Sequence, residues 1–166
     1  ELCDRSIVLS GGTIVADGAP AGQFSLTAVA ATPCAQGGPS HADDVAMVLH
    51  TSGTTSRPKR VPLSVANLCA SARQIAATLK FTPQDRGLNI MPLFHIHGLL
   101  AGLLAPLSAG SQVFCTPGFN ALRFFKWMDE ARPTWYTAVP TMHLAIASRG
   151  KHNAEVLARH RLRFVR

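Results

Sequence analysis

Short apolar runs alternate with segments of helical periodicity along most of the chain after residue 42. The runs predict strands at residues 45–50, 61–63, 88–91, 112–115, 134–139 and 162–165. The segments between them predict helices at residues 67–80, 97–107, 121–131 and 142–149. Because strands and helices alternate and the strands are almost wholly apolar, the pattern predicts an α/β fold. We expect a mainly parallel sheet with helices on both faces.

Polar and small residues mark the ends of the predicted helices. Ser64 and Asn120 precede two of them and are expected to be their N-caps. Gly110 and Gly150 follow two others and are expected to end them. Three aromatic residues lie at core spacing on one helix and are expected to pack inside the fold: Phe124, Phe125 and Trp127.

The first 42 residues differ from the rest of the chain. They mix short β-like runs with Gly, Pro and Ala, and residues 32–40 have the clustered Gly, Pro and Ser typical of a loop. We therefore predict a peripheral segment and linker at residues 1–42 and an α/β subdomain at residues 43–166.

Composition indicates a globular chain. Of its 166 residues, 47% are apolar and 15% charged, which suits one domain with its own core. The longest apolar stretch, residues 90–107, contains two His and two Pro, so no membrane span is predicted. Four cysteines lie more than 30 residues apart and predict no metal site or disulfide scaffold. We expect reduced, buried thiols, a cytoplasmic protein, and no secretory signal peptide at the N-terminus.

The formal net charge is +7, which raises the possibility of nucleic-acid binding. From Arg149 onward, however, six basic residues face a single acid, Glu155. No aromatic residues that could stack on bases are interleaved with them. We therefore interpret this basic tail as part of a truncated chain whose acidic partners are missing, and predict no nucleic-acid partner and no membrane partner.

The loop between the first two predicted strands carries the strongest chemical signal. Residues 51–59 read TSGTTSRPK and contain five hydroxyls, one glycine and two cations. Glycine lets backbone amides approach a phosphate, hydroxyls donate to its oxygens, and cations neutralise its charge. Plain turns also contain Ser and Thr, so composition alone leaves phosphate binding open. The loop is not a Walker A motif, because no Gly-Lys-Ser/Thr follows Gly53 at the required spacing.

The same loop resembles the phosphate signature of the adenylate-forming superfamily, Ser/Thr-Ser-Gly-Thr-Thr-Gly-x-Pro-Lys-Gly, placed after a buried strand. Seven of the ten positions match. Ser56 replaces a glycine, although Ser-Arg-Pro-Lys resembles the variant of oxalate-CoA ligases. Arg60 departs from both patterns, and would either strain the loop or add positive potential.

Two further segments resemble the oxalate-CoA ligase type. Residues 91–103 read MPLFHIHGLLAGL and residues 134–141 read TWYTAVPT. The three motifs have the order and spacing of that group. The resemblance covers residues 43–166 and hardly includes the first 40.

The resemblance implies an acyl-CoA synthetase that adenylates a carboxylic acid, oxalate or another small acid, and passes the acyl group to CoA. ATP, Mg²⁺ and CoA are the implied cofactors and cosubstrates. The implied phosphate-binding residues are Thr51, Ser52, Gly53, Thr54, Thr55 and Lys59. His95 is the implied catalytic residue, and His97 and Thr137 are the implied substrate-binding residues. Arg57 stays open as a participant or a solvated loop residue, and no metal ligand is predicted.

The adenine, ribose and C-terminal lysine segments that the family needs are not among these residues. We therefore expect a fragment of the N-terminal domain that does not turn over alone and that self-associates through uncovered edges. Two alternatives stay open: a noncatalytic nucleotide-binding module and a basic nucleic-acid-binding fragment. A Ser/His hydrolase is less favoured because the sequence contains no Gly-x-Ser-x-Gly elbow.

Overall fold

An antiparallel hairpin precedes the main sheet. The computed structural model describes residues 40–51 and 59–166. Within them, β1 (Val45–Thr51) pairs with β2 (Lys59–Ser64), with His50 opposite Arg60. Val45 and Val48 are 61% and 46% exposed, so the prediction of a buried strand before the loop is wrong. Among the described strands, β1 pairs with β2 alone and lies outside the parallel sheet, which leaves its side chains exposed.

The first helix is fixed at both ends by local backbone geometry. In α1 (Val65–Leu79), the Ser64 hydroxyl accepts a hydrogen bond from the Asn67 amide at 3.2 Å, and the Asn67 side chain accepts from the Ser64 amide at 3.1 Å. This reciprocal capping box satisfies two backbone donors that a helix start leaves free. The helix ends at Lys80, which has a left-handed backbone with φ 51°. The predicted role of Ser64 is confirmed.

Four parallel strands form the central sheet. They are β3 (Arg86–Asn89), β4 (Gln112–Cys115), β5 (Trp135–Thr137) and β6 (Phe164–Val165). Their order is β4-β3-β5-β6, and every neighbouring pair is parallel. The predicted apolar runs 88–91 and 134–139 extend past the ends of β3 and β5, because Ile90 and Ala138 are buried beyond the paired segments.

Helices connect successive strands of the sheet. A π-helix (His97–Leu104) and α2 (Ala105–Ser108) join β3 to β4, and α3 (Phe124–Ala131) joins β4 to β5. Helix α4 (Pro140–Gly150), a 3₁₀ turn (Lys151–Asn153) and α5 (Ala154–Arg159) join β5 to β6. No helix in the described residues is long and apolar enough to cross a bilayer.

The sheet is covered on both faces, as predicted. On one face, Leu88 and Tyr136 pack with side chains of α3 and α4, and this cluster includes Phe124, Phe125, Trp127, Met128 and Ile146. On the other face, Trp135 packs with α1, the π-helix and α2 through Ala72, Leu100 and Ala105. The fold is therefore α/β with a parallel sheet between two helical layers, and the three aromatic residues of α3 are core residues.

Several helix boundaries differ from the prediction. The segment predicted as one helix at 97–107 is a π-helix followed by a short α-helix. Helix α4 ends at Gly150, as predicted, although Gly150 is itself helical with φ −55° and ψ −39°. The 3₁₀ turn and α5 that follow it were not predicted from the sequence. Asn120 caps a preliminary turn through the Leu122 and Arg123 amides, so α3 begins at Phe124 rather than Ala121.

Two glycines let the π-helix approach the end of β3 closely. A Cβ at Gly98 would lie 2.3 Å from the Pro92 carbonyl oxygen, and one at Gly102 would lie 2.7 Å from Asn89 Oδ1. Asn89 is buried and its side-chain amide donates to the Gly98 carbonyl at 3.0 Å. The absence of side chains at these positions therefore sets where the helix begins.

Replacing Gly98 with alanine is expected to destabilise the fold by about 1–3 kcal/mol, because the obstructing atom belongs to the backbone and cannot rotate away. The shift in the urea unfolding midpoint measures this effect. Gly150→Ala is the matched control, since a Cβ there meets Leu157 Cδ1 at an ordinary 3.5 Å. An unchanged midpoint for Gly98→Ala would contradict the close approach.

Asp85 joins the amino ends of three strands. Its buried carboxylate accepts hydrogen bonds from the amide and hydroxyl of Thr82 at 2.9 and 3.2 Å and from the Thr134 hydroxyl at 2.9 Å. The Arg163 guanidinium donates to both carboxylate oxygens at 3.0 and 2.9 Å. Although burial alone would raise the pKa of Asp85, these donors and the charge of Arg163 hold it below its ordinary value.

The basic tail is partly neutralised inside the chain. Besides the pair formed by Arg163, Arg159 and His160 both contact Asp129, at 2.9 and 2.6 Å. The interpretation that the tail has lost its acidic partners is therefore wrong for Arg159 and Arg163. The pairing was not visible in the sequence because these acids lie 30 to 78 residues earlier.

The two cysteines in the described residues are free. Cys69 and Cys115 are both exposed, so the expectation of buried thiols is wrong for them. Cys3 and Cys34 lie outside the described residues.

Candidate functional site

The sheet changes its winding direction between β3 and β5. From β3 the chain crosses to β4 through the π-helix and α2, which pack on the Trp135 face. From β5 it crosses to β6 through α4 and α5, which pack on the opposite face. Helices that leave adjacent strands on opposite faces open a crevice at the carboxyl ends of those strands. Such switch points are the usual ligand sites of open α/β sheets.

Three polar side chains meet at this crevice. Thr137 ends β5 and is fully buried, and its hydroxyl lies 2.6 Å from Nε2 of His97, the first residue of the π-helix. Arg166, directly after β6, places Nη1 3.0 Å from the same nitrogen. The structure thus brings together His97 and Thr137, two predicted substrate-binding residues, and adds Arg166, which the sequence analysis did not assign.

The contacts determine the protonation state of His97. A guanidinium can only donate hydrogen bonds, so His97 Nε2 acts as an acceptor, and Arg166 and the Thr137 hydroxyl share its single lone pair. The imidazole is therefore neutral with its proton on Nδ1. Burial, and then the positive charge of Arg166, hold the pKa of His97 below its ordinary value. Neutral His97 presents an N–H donor and carries no charge of its own.

The His97 imidazole is expected to titrate below the ordinary histidine pKa of 6.5. Because the folded state favours the neutral form, the stability that His97 contributes is present above its unfolded pKa and is lost as the pH falls through the folded pKa. NMR titration of the imidazole protons measures this pKa. In Arg166→Met the pKa should rise but stay below 6.5, since burial still acts. A wild-type value at or above 6.5 would refute the neutral assignment.

Asn89 positions the start of the π-helix and was missed by the sequence analysis. It ends β3, donates to the Gly98 carbonyl, and accepts from the Met91 amide at 3.1 Å. These bonds hold Gly98, the residue after His97, against β3, which pairs with the strand that ends at Thr137. The sequence offered one signal for this residue, which is that Asn89 is polar although it lies in an apolar run.

His143, to which the sequence analysis gave no role, also belongs to this edge of the sheet. The Tyr136 hydroxyl lies 3.1 Å from His143 Nδ1, and His143 Nε2 lies 3.0 Å from the Arg166 carbonyl oxygen. Because that carbonyl can only accept, His143 donates from Nε2, and in the neutral ring Nδ1 then accepts from the Tyr136 hydroxyl. Helix α4 is thereby tied to the main chain of Arg166.

The other predicted site residues lie elsewhere or outside the described part. His95 is exposed, with its ring 4.4 Å from that of Phe94, and none of its described side-chain contacts reaches Thr137 or Arg166. Thr51 and Lys59 are paired across the hairpin, so both ends of the phosphate loop are anchored. The remaining phosphate-loop predictions lie outside the described residues: Ser52, Gly53, Thr54, Thr55, Ser56 and Arg57.

The described residues contain no group of three His, Cys, Asp or Glu side chains able to hold a metal ion. A magnesium ion that accompanies ATP does not require such a group, because it is usually held by one or two carboxylates together with phosphate oxygens and water.

Comparison with known proteins identifies the family. The family described as AMP-binding enzyme matches residues 6–166. The chain belongs to this family. The match begins well before residue 43, so the expectation that the first 40 residues lie largely outside the resemblance is wrong. The predicted adenylate-forming resemblance itself is confirmed.

Two curated relatives share more than two fifths of the aligned positions with this chain. The chain is 48% identical to an oxalate–CoA ligase of Arabidopsis thaliana over 129 residues, covering 76% of this chain and 25% of the relative. It is 43% identical to a probable CoA ligase, CCL9, of Humulus lupulus over 157 residues, covering 93% and 29%. The chain therefore spans between a quarter and a third of the length of these relatives.

Solved structures of AMP-binding enzymes share the fold. A malonyl-CoA ligase in a ternary product complex with methylmalonyl-CoA and AMP superposes with a TM-score of 0.67 at 30% identity, covering 75% of this chain and 27% of that one. ATP-bound MatB from Rhodopseudomonas palustris gives a TM-score of 0.64 at 32% identity, covering 74% and 24%.

Proposed function

We propose that the complete protein containing this chain is an ATP-dependent acyl-CoA ligase that adenylates a small carboxylic acid and transfers the acyl group to CoA. The observation that carries the proposal is that relatives 48% and 43% identical to this chain are named as CoA ligases. Both phosphate-loop ends and the crevice residues are compatible with this activity.

The phosphate loop is assigned to ATP in this proposal. Thr51 and Lys59, which bound the loop, are paired across the β1–β2 hairpin. The hydroxyls and the glycine in the sequence between them are the groups that suit a polyphosphate. When the substrate carboxylate attacks the α-phosphate, negative charge builds on the departing pyrophosphate. Fixed donors and the Lys59 ammonium would stabilise that charge. Lys59 and Thr54 are the preferred participants.

The crevice at the end of β3 and β5 is assigned to the acid substrate. The neutral His97 ring offers an Nδ1–H donor, and its other nitrogen is held by Thr137, which fixes the ring plane. A carboxylate accepts such a donor without the tight ion pair that would reduce its nucleophilicity. His95, which lies two residues before His97 on the exposed approach to the π-helix, is retained as a second candidate contact.

The test is pyrophosphate release by the complete protein in the presence of ATP and Mg²⁺, with and without a carboxylic acid. We expect release that depends on the acid, and a CoA thioester once CoA is added. A panel of one- and two-carboxylate acids of two to four carbons defines the substrate class. Nucleotide binding without acid-dependent pyrophosphate release would overturn the proposal in favour of a noncatalytic nucleotide-binding module.

A further inference from the structure

We propose that Asn89 is a positioning residue for the carboxylic acid, because it holds the π-helix in the register that brings His97 to Thr137. The inference rests on the proposed function, in which His97 contacts the acid. Asn89 acts on the acid through His97 and makes no contact with the acid itself.

Asn89 and Thr137 are neighbours in the sheet and hold consecutive residues of the π-helix. They lie opposite each other in the parallel pairing of β3 with β5. The Asn89 side-chain amide donates to the Gly98 carbonyl at 3.0 Å. The Thr137 hydroxyl lies 2.6 Å from Nε2 of His97. Two adjacent strand positions thus fix two adjacent helix positions, so a shift of Gly98 would move His97 as well.

The side chain of Asn89 fits its site in one orientation. It is 1% exposed, and its Oδ1 accepts from the Met91 amide at 3.1 Å. An amide turned over would direct its NH₂ group at the Met91 amide and its oxygen at the Gly98 carbonyl, so both bonds would be lost. On the helix side, a Cβ at Gly102 would lie 2.7 to 2.8 Å from three atoms of the Asn89 amide group. The amide therefore lies against the helix at Gly98 and at Gly102.

The π-helix is wider than an α-helix because its hydrogen bonds span five residues instead of four. At the end of the π-helix, the Ala105 amide donates to the Leu100 carbonyl, five residues earlier. Pro106 follows, and in an α-helix its ring would clash with the carbonyl four residues before it. Pro106 therefore favours the wider turn from the carboxyl end, and Asn89 holds it from the amino end.

The packed part of the π-helix would not follow a change of register. Leu100 and Ala101 are buried, and Leu100 and Ala105 pack in the cluster that contains Trp135. In a return to the α-helical register, these residues would keep their places and the amino end would rotate about the helix axis. His97 would then turn away from the end of β5. The bond from Asn89 prevents this rotation, and π-helical turns are frequent at functional sites.

The experiment compares Asn89→Asp and Asn89→Ala in the complete protein. Asn89→Asp keeps the shape of the side chain and the acceptor for the Met91 amide, but it sets an acceptor against the Gly98 carbonyl. Asn89→Ala removes both bonds without adding a charge. The KM for the acid, the KM for ATP and kcat for pyrophosphate release are measured with the acid that the wild type uses best.

Asn120→Asp is the matched control. Oδ1 of Asn120 accepts from the Leu122 and Arg123 amides, and a carboxylate at this position still accepts from both. The same chemical change therefore breaks a donor bond at Asn89 and preserves the acceptor bonds at Asn120.

We expect Asn89→Asp to raise the KM for the acid by about 10-fold while the KM for ATP stays within about twofold. Asn89→Ala should change the KM for the acid in the same direction, and Asn120→Asp should change neither value. In the His97→Ala background, Asn89→Asp should add no more than about twofold, because the ring through which it acts is missing.

The ring of His97 reports its orientation without any need for activity. In protein that carries carbon-13-labelled histidine, the ring signals of His97 are identified by their loss in His97→Ala. Asn89→Asp and Asn89→Ala should shift these signals, and Asn120→Asp should leave them in place.

Four results would each overturn the positioning role while leaving the ligase activity intact. They are an unchanged KM for the acid in both Asn89 variants, an equal rise in the KM for the acid and for ATP, the same rise with and without His97, and unshifted His97 signals. A wild type that releases no pyrophosphate with any acid would overturn the ligase proposal instead. The His97 signals would then still decide whether Asn89 orients the ring.

Discussion

Replacing Asp85 with alanine is expected to destabilise the fold by about 3–5 kcal/mol, the cost typical of removing one partner from a buried charged network. The carboxylate is 4% exposed and holds Thr82, Thr134 and Arg163 together at the amino ends of β3, β5 and β6. Without it, three sets of donors lose their acceptor. The measurement is urea unfolding followed by tryptophan fluorescence, since Trp135 lies in the core next to this network.

Asp129→Ala is the matched control for Asp85. That carboxylate also contacts an arginine and a histidine, yet its side chain is 41% exposed, so water can replace the lost partners. We expect a much smaller change in the unfolding midpoint. Because the pKa of Asp85 is lowered in the fold, the stability it contributes is present above its unfolded pKa and is lost as the pH falls through the folded pKa. Equal midpoints for the two alanine variants would refute the structural role of Asp85.

Replacing His97 with alanine is expected to reduce kcat/KM for the acid substrate by about 100-fold in the complete protein. The variant removes the proposed donor to the carboxylate. It also leaves the buried Thr137 hydroxyl without its acceptor and the Arg166 guanidinium without its contact. The KM for the acid should change more than the KM for ATP, because the substitution does not touch the phosphate loop.

A double-mutant cycle of His97→Ala with Thr137→Val tests whether Thr137 acts by orienting His97 or by contacting the substrate itself. Thr137→Val removes the hydroxyl while nearly preserving side-chain volume. It should lower kcat/KM for the acid about 10-fold, because the imidazole ring of His97 is then no longer held in one orientation. If Thr137 acts only through His97, the double variant is no worse than His97→Ala alone. Additive losses would contradict that relation, and a fully active His97→Ala would remove the histidine from the proposed site.

The hydrophobic pattern could predict the layers of this fold but not the connections between elements. Strand β4 matches its predicted residues 112–115, and the aromatic residues of α3 are buried as their spacing indicates. The pattern could not separate the β1–β2 hairpin from the parallel sheet, since both occur in the sequence as short apolar runs. It also could not predict that a 3₁₀ turn and α5 follow Gly150 directly, because glycine adopts helical angles as readily as angles that lead the chain away from a helix.

The candidate site was predictable in its composition and not in its geometry. The resemblance named His97 and Thr137, yet nothing in the sequence placed them 2.6 Å apart across 40 intervening residues. Arg166 and His143 carried no motif of their own. Their assignment follows from the pairing of β6 with β5, which brings the end of the described chain back to the start of the π-helix.

Local features of the sequence are sufficient for the α/β class, the first helix and the family. These features are apolar periodicity, the Ser64–Asn67 capping box, and motifs only a few residues long. The strand order, the switch point between β3 and β5, and the contact of His97 with Thr137 and Arg166 follow from the packing of the whole sheet. Hydrogen bonds within four residues are encoded locally, whereas contacts across 40 to 69 residues depend on which faces of the sheet the helices cover.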